Sequence, residues 1–158
     1  MTVTSAGVLL YRMDDAGVLQ LWIVHMGGPY WARKDEAAWS IPKGEYVDGE
    51  DPFAAALREY EEEIGAPPPE VEYHLLGQFK QPSRKLITVY LAEATDDVTF
   101  VGSNTFELEW PPRSGKRQQF PEVDDARWFP VSVAETKLVK GQRPIALRAR
   151  EYLSTSRG

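Results

Sequence analysis

The sequence predicts an α/β domain, a mixed β-sheet flanked by helices. Three observations carry that expectation. Short apolar, β-branched runs recur along the chain as strands would. One well-bounded helix interrupts them between Asp51 and Gly65. Strands and helices then mix without strict βα alternation, which disfavours a purely parallel sheet. The 158 residues suit a single domain over 1–158 with one sizeable core, and neither a repeat nor a linker breaks the chain.

The elements follow in order. Residues 6–11 read as a buried strand, Asp14, Asp15 and Gly17 as a turn, and residues 18–25 as the second strand of a hairpin. A charged loop rich in Gly and Pro covers 26–38, and Trp39–Pro42 reads as a short strand closed by its proline. The clearest helix spans Pro52–Ile64. Asp51 suits its N-cap and Pro52 its first position, Gly65 the left-handed residue past its end, and Pro67-Pro68-Pro69 forbids continuation. Strands are expected near 71–80 and 85–94. Residues 96–121 read as a long irregular segment with a short strand at Thr105–Trp110, where Phe106 to Trp110 alternate. A last strand at 126–131 and helices at 132–138 and 143–153 complete the pattern.

Composition removes several function classes. The net charge of −6 argues against binding long nucleic acid, which needs a basic footprint. A small phosphorylated substrate stays compatible, because bound divalent cations reverse the local sign. With no cysteine, disulfides, thiolate-bound zinc and a thiol nucleophile are excluded. No apolar run is long enough to span a membrane, and Met1-Thr2-Val3-Thr4-Ser5 lacks the features of a signal peptide. The expected location is cytoplasmic, with a homodimer left open.

The chemistry concentrates between Gly44 and Ala66. At 100° per residue, Glu59, Glu62 and Glu63 fall within an arc of about 100°, while Phe53, Leu57, Tyr60 and Ile64 form a separate stripe for the core. Ala55 and Ala56 are expected beside the acids, leaving room for a ligand, and Glu61 is expected in solvent. Two carboxylates about 6 Å apart repel by roughly 3 kcal/mol at an effective dielectric of 20. A divalent cation turns that repulsion into coordination, and magnesium prefers such oxygen ligands. Taken alone, the acids suit a solvated helix face at least as well. The whole pattern, Gly-x5-Glu-x7-Arg-Glu-x2-Glu-Glu-x-Gly, is far more specific, with a chance match of roughly one in a million.

This segment resembles the Nudix box at all seven of its polar and glycine positions. Tyr60 and Ala66 stand where the family has bulky aliphatic residues. The resemblance implies the Nudix fold, an α/β/α sandwich with a mixed sheet. It implies Mg2+ as cofactor, with Mn2+ as substitute, held by Glu59, Glu62, Glu63 and the Lys43 carbonyl. Arg58 would orient the acids, Glu50 would bond within the loop or act through the water shell, Gly44 would permit the backbone turn, and Gly65 the helix end. The implied reaction is attack of metal-activated water on phosphorus in a nucleoside-diphosphate-linked substrate, a nucleoside triphosphate or dinucleoside polyphosphate. The other reading is a Nudix-fold module that senses a nucleotide without cleaving it; a degraded box would favour it, and this box is complete.

Outside the box, Trp39-x-x-Pro42-Lys43-Gly44 resembles the approach to the box in diadenosine-polyphosphate hydrolases, and Lys43 is a candidate for a substrate phosphate. Arg84 and Lys85 are candidates for the same task, against the bland reading of a solvated turn. Arg113, Lys116 and Arg117 read as a charged loop. Tyr30, Trp31, Trp110 and Phe120 are candidates for stacking a base, though packing explains each as well. His25 and His74 read as structural. Glu122, in the loop before the last strand, is the candidate general base, with Asp124 and Glu109 as alternates and an ion pair to Arg117 as the bland reading.

Overall fold

The computed structural model describes residues 3–156. Met1 and Thr2, part of the N-terminal reading above, and the last two residues lie outside the described residues.

The first hairpin forms as its sequence dictates, with a longer first arm than expected: β1 (Val3–Met13) and β2 (Leu19–Met26). Asp14 Oδ1 accepts from the amides of Ala16 and Val18, at 2.9 and 2.8 Å, and so builds the turn. The two strands pair only where Leu10–Met13 meets Leu19–Trp22. Beyond that they diverge, and two short strands enter the wedge. β3 (Trp39–Ser40) joins β2 at Val24 and His25, and β4 (Lys43–Glu45) joins β1 at Ser5–Gly7. The expected strand over Trp39–Pro42 is therefore only its first two residues, and a second short strand starts just past Pro42. Pro42 has no N–H to extend a ladder, its carbonyl accepts from Val8 N at 3.1 Å, and the chain changes partner there.

After β4 comes α1 (Pro52–Ile64), capped as predicted. Asp51 accepts from Ala54 N at 3.1 Å, and Gly65 adopts φ 82° with its N–H bonded to Glu61 O. β5 (His74–Gln81) and β6 (Lys85–Glu93) follow, with Pro82–Arg84 as a 3₁₀ turn between them. β5 begins later than residue 71, because the chain is still turning there: Tyr73 Oη donates to Pro69 O at 2.6 Å. β6 runs parallel to β1, and β5 lies outside it, antiparallel.

The segment expected to be irregular contains a hairpin of β7 (Thr105–Glu109) and β8 (Arg117–Pro121), a two-stranded sheet of its own. β8 went unpredicted because Arg117, Gln118 and Gln119 are all exposed and give no apolar alternation. β9 (Val123–Pro130) then pairs with the outer edge of β2, followed by α2 (Val131–Lys137) and α3 (Arg143–Ser156).

The seven strands β1–β6 and β9 form one mixed sheet with a core on each face. Leu9, Leu21, Ile23, Val89 and Leu91 pack under α2 and α3 through Ala134, Leu138, Ile145 and Ala149. Their neighbours Val8, Leu10, Trp22 and Val24 pack under α1 through Ala55, Ala56, Tyr60 and Ile64. A sheet buried on both faces explains why β1 and β2 read as continuous apolar runs. The two alanines are thus core residues that let α1 approach the sheet closely, and not spacers beside the acids.

Candidate active site

The wedge between β1 and β2 opens as a cleft of about 500 Å3. Ser5, Val24 and Met26 line it from the diverging strands, Ser40, Lys43, Gly44 and Glu45 from the inserted ones. α1 contributes Glu59, Glu62 and Glu63, β6 contributes Lys85, and Asn104, Glu122 and Val123 close the far wall. The fold brings five acidic residues and two lysines from distant sequence positions to one site.

Each helix acid meets a protein donor. Glu63 Oε1 accepts from Lys43 N at 3.1 Å. Glu59 Oε1 accepts from Arg58 Nη2 at 3.1 Å, and Glu62 lies 3.8 Å from Arg58 Nε. Arg58 also pairs with Glu50 and donates to Glu45 O, so one guanidinium ties the box loop to the helix acids. Burial pushes the Glu63 carboxyl up to about 8, against the opposing influence of the Lys43 amide and charge. Glu59 is also raised, first by burial, with the Arg58 hydrogen bond acting the other way. Glu61 is exposed, as expected.

Gly44 serves proximity. Its φ is not positive, so the expected backbone turn is not its role. A Cβ there would run into the Glu59 carboxylate. Glycine makes a cradle in which β4 and α1 approach with a carboxylate between them.

A divalent cation fits this donor set. The acids offer hard oxygen ligands, and a cation would remove the cost of burying the Glu63 charge. Among the described residues no three carboxylates converge as a metal cluster would; the helix acids are held apart, Glu59 and Glu62 by Arg58 and Glu63 by the Lys43 amide.

Outside the box, Lys43 and Lys85 both line the cleft, whereas Arg84 is exposed and does not. Glu122 lines it and raises Glu63 through its charge. The alternates lie elsewhere: Asp124 bonds His25 at 2.7 Å, and Glu109 accepts from Arg113 N within the hairpin. Arg117 pairs with Glu107 and not with Glu122. None of Tyr30, Trp31, Trp110 and Phe120 lines the cleft. Tyr30 packs edge-on against Trp110, Phe120 against Phe106, and Lys34 sits over Trp31.

Sequence reasoning missed Ser5, Ser40 and Asn104 in the cleft, and Gln142 behind it. Gln142 is 1% exposed, accepts from Ile41 N and donates to Ser40 Oγ, both at 2.9 Å. The hydroxyls of Ser5 and Ser40, lone polar groups in apolar strands, were the available signal; Asn104 and Gln142 had none, being placed by contacts distant in sequence.

The NUDIX domain family model matches residues 1–149. The chain belongs to the Nudix family. That places it among pyrophosphohydrolases acting on phosphorus-containing acid anhydrides. The Nudix fold is shared with the C. elegans Ap4A hydrolase in a binary complex, at 21% identity and TM-score 0.67, covering 98% of this chain and 99% of that one. It is shared with the Nudix hydrolase RenU of M. smegmatis, at 21% identity and TM-score 0.63, covering 96% and 86%. The NUDIX domain of Shewanella oneidensis NrtR, complexed with ADP ribose, aligns at 18% identity and TM-score 0.62, covering 97% and 89%. No curated protein sequence matches. No helix among the described residues is long and apolar enough to cross a membrane.

Proposed function

We propose that this Nudix protein is a Mg2+-dependent cytoplasmic hydrolase of nucleoside triphosphates or dinucleoside polyphosphates. The observation that carries the reading is the cleft's charge composition, in which Glu45, Glu59, Glu62, Glu63 and Glu122 line one cavity together with Lys43 and Lys85. A polyanionic substrate enters an acidic cleft only with cations, and the three helix acids with the Lys43 carbonyl are the groups to hold them. When bound, Mg2+ (or Mn2+ in its place) would neutralise and polarise the phosphate oxygens. Arg58 holds Glu59 and Glu62 in position. Lys43 and Lys85 take phosphate charge that the cation does not cover. Glu122 is the general base in this reading, supported by its place in the cleft lining.

The nucleoside part of the reading has its own support. Beyond Lys43 and Lys85 the cleft continues into a chamber of about 250 Å3, lined by Pro82, Ile87 and Val139 and by no carboxylate. That chamber suits an uncharged ring, with its phosphates crossing the lysines toward the acids. The Ap4A hydrolase and the ADP-ribose-bound domain among the structural neighbours point to the same substrate class.

The test is a screen of nucleoside triphosphates, dinucleoside polyphosphates, sugar nucleotides and inositol pyrophosphates with Mg2+ or Mn2+, reading phosphate after a coupled phosphatase. Metal-dependent turnover of the first two classes is expected. Nucleotide binding without turnover of any class would replace the reading by a sensing module.

A further inference from the structure

We infer that His25 is a positioning residue, a buried clamp that aims Glu122 into the cleft; this rests on the proposed role of Glu122. The ring is 8% exposed and packs edge-on against Trp39 at 5.1 Å. Both nitrogens are used. Nε2 lies 2.7 Å from Lys34 O, and a carbonyl only accepts, so Nε2 donates. Nδ1 lies 2.7 Å from Asp124 Oδ1, within hydrogen-bond distance.

Asp124 is the extra residue of a β-bulge. His25 pairs with Asp125 and Met26 with Val123, so Asp124 has no partner on β2. The bulge resets the alternation of β9. Ala126 and Trp128 face the α1 core, and an unbroken strand would turn Asp124 and Glu122 to that same face. Instead Val123 enters the core, 3% exposed, and Glu122 is left to line the cleft. A buried ring bonded to the bulged side chain holds this register.

The same ring pins the opposite rim, because Lys34 belongs to the loop after β2. The two rims are also stitched directly by Gly27 N donating to Glu122 O at 2.9 Å, while Glu122 N donates to Asn104 O at 3.0 Å within its own wall. Releasing the clamp therefore loosens Glu122 and its neighbours without touching Lys43, Lys85 or the helix acids.

His25→Phe keeps the ring's volume and its contact with Trp39 but cannot bond either partner. It should lower kcat roughly tenfold to a hundredfold, the scale of a misplaced group, with little change in KM. Asp124→Ala should behave alike, while Asp124→Asn, whose amide still bonds Nδ1, should keep most of the turnover. In a Glu122→Gln background His25→Phe should cost nothing more, whereas a purely structural role predicts multiplied losses. Amide hydrogen exchange gives a readout without turnover: Gly27 and Glu122 should lose protection in His25→Phe. Unchanged protection, or multiplied losses in the double variant, would overturn the clamp. Normal turnover of Glu122→Gln alone overturns both the base and its positioning. An inactive wild-type protein with the predicted loss of protection would sink the hydrolase reading and keep the clamp.

Discussion

At the scale of single residues, the site is organised by mutual tolerance of like charges. Glu63 is half-buried with the Lys43 amide as donor, and Glu59 is wedged against Gly44 with Arg58 as partner. Glu62→Gln or Glu63→Gln should lower turnover by several orders of magnitude and leave the fold intact. Metal-free thermal stability should rise slightly as repulsion is relieved, and near-normal activity in either variant would refute the ligand assignment. Gly44→Ala should be nearly as inactive, because the new methyl displaces the Glu59 carboxylate. The displaced group is the flexible end of a side chain, so the melting temperature should barely move. Arg58 touches acids and the Glu45 carbonyl, so Arg58→Ala should reduce kcat more than it raises KM. A pure loss of substrate affinity would instead make Arg58 a substrate ligand.

At the scale of elements, α1 and the β7–β8 hairpin are parts of one device. The last carbonyls of α1 are capped from afar: Val101 N and Gly102 N donate to Ile64 O, and Asn104 N to Glu62 O at 2.9 Å. The segment that caps the helix thus delivers Asn104 to the cleft, and the hairpin returns the chain at Glu122, beside it. Glu122→Gln should depress turnover with little change in stability, since its carboxylate is exposed while its backbone makes the structural bonds. Full wild-type turnover would leave a box glutamate as the base.

At the scale of the whole molecule, the cleft exists because β1 and β2 part company. Two short strands fill the wedge, and elements on both sides of the sheet hold it open. A cation bound there should tie the box loop, α1 and the sheet together. Mg2+ at a hundred times its dissociation constant should add about 2.7 kcal/mol to stability, visible as a rise in melting temperature that EDTA reverses. This rise should be absent in Glu63→Gln. No shift in the unmodified protein would remove the metal from this cleft.

The sequence by itself determined the helix, its caps and the acidic arc of Glu59, Glu62 and Glu63. Those are local properties, set by a 3.6-residue period and by side chains that bond backbone within a few positions. It likewise determined the β1–β2 hairpin, whose turn is closed by Asp14. Tertiary structure decided what faces the acids. It cut the Trp39–Pro42 strand to its first two residues and started a new strand on β1 at Lys43, buried Ala55 and Ala56, and paired the polar strand β8 with β7. It also brought Lys85 and Glu122 to the cleft while leaving Arg84 and the four candidate aromatics outside it. The physical reason is that a helix face follows from a fixed rotation per residue. Which strand lies beside which, and where a bulge resets the alternation, depends on packing between residues far apart in the chain.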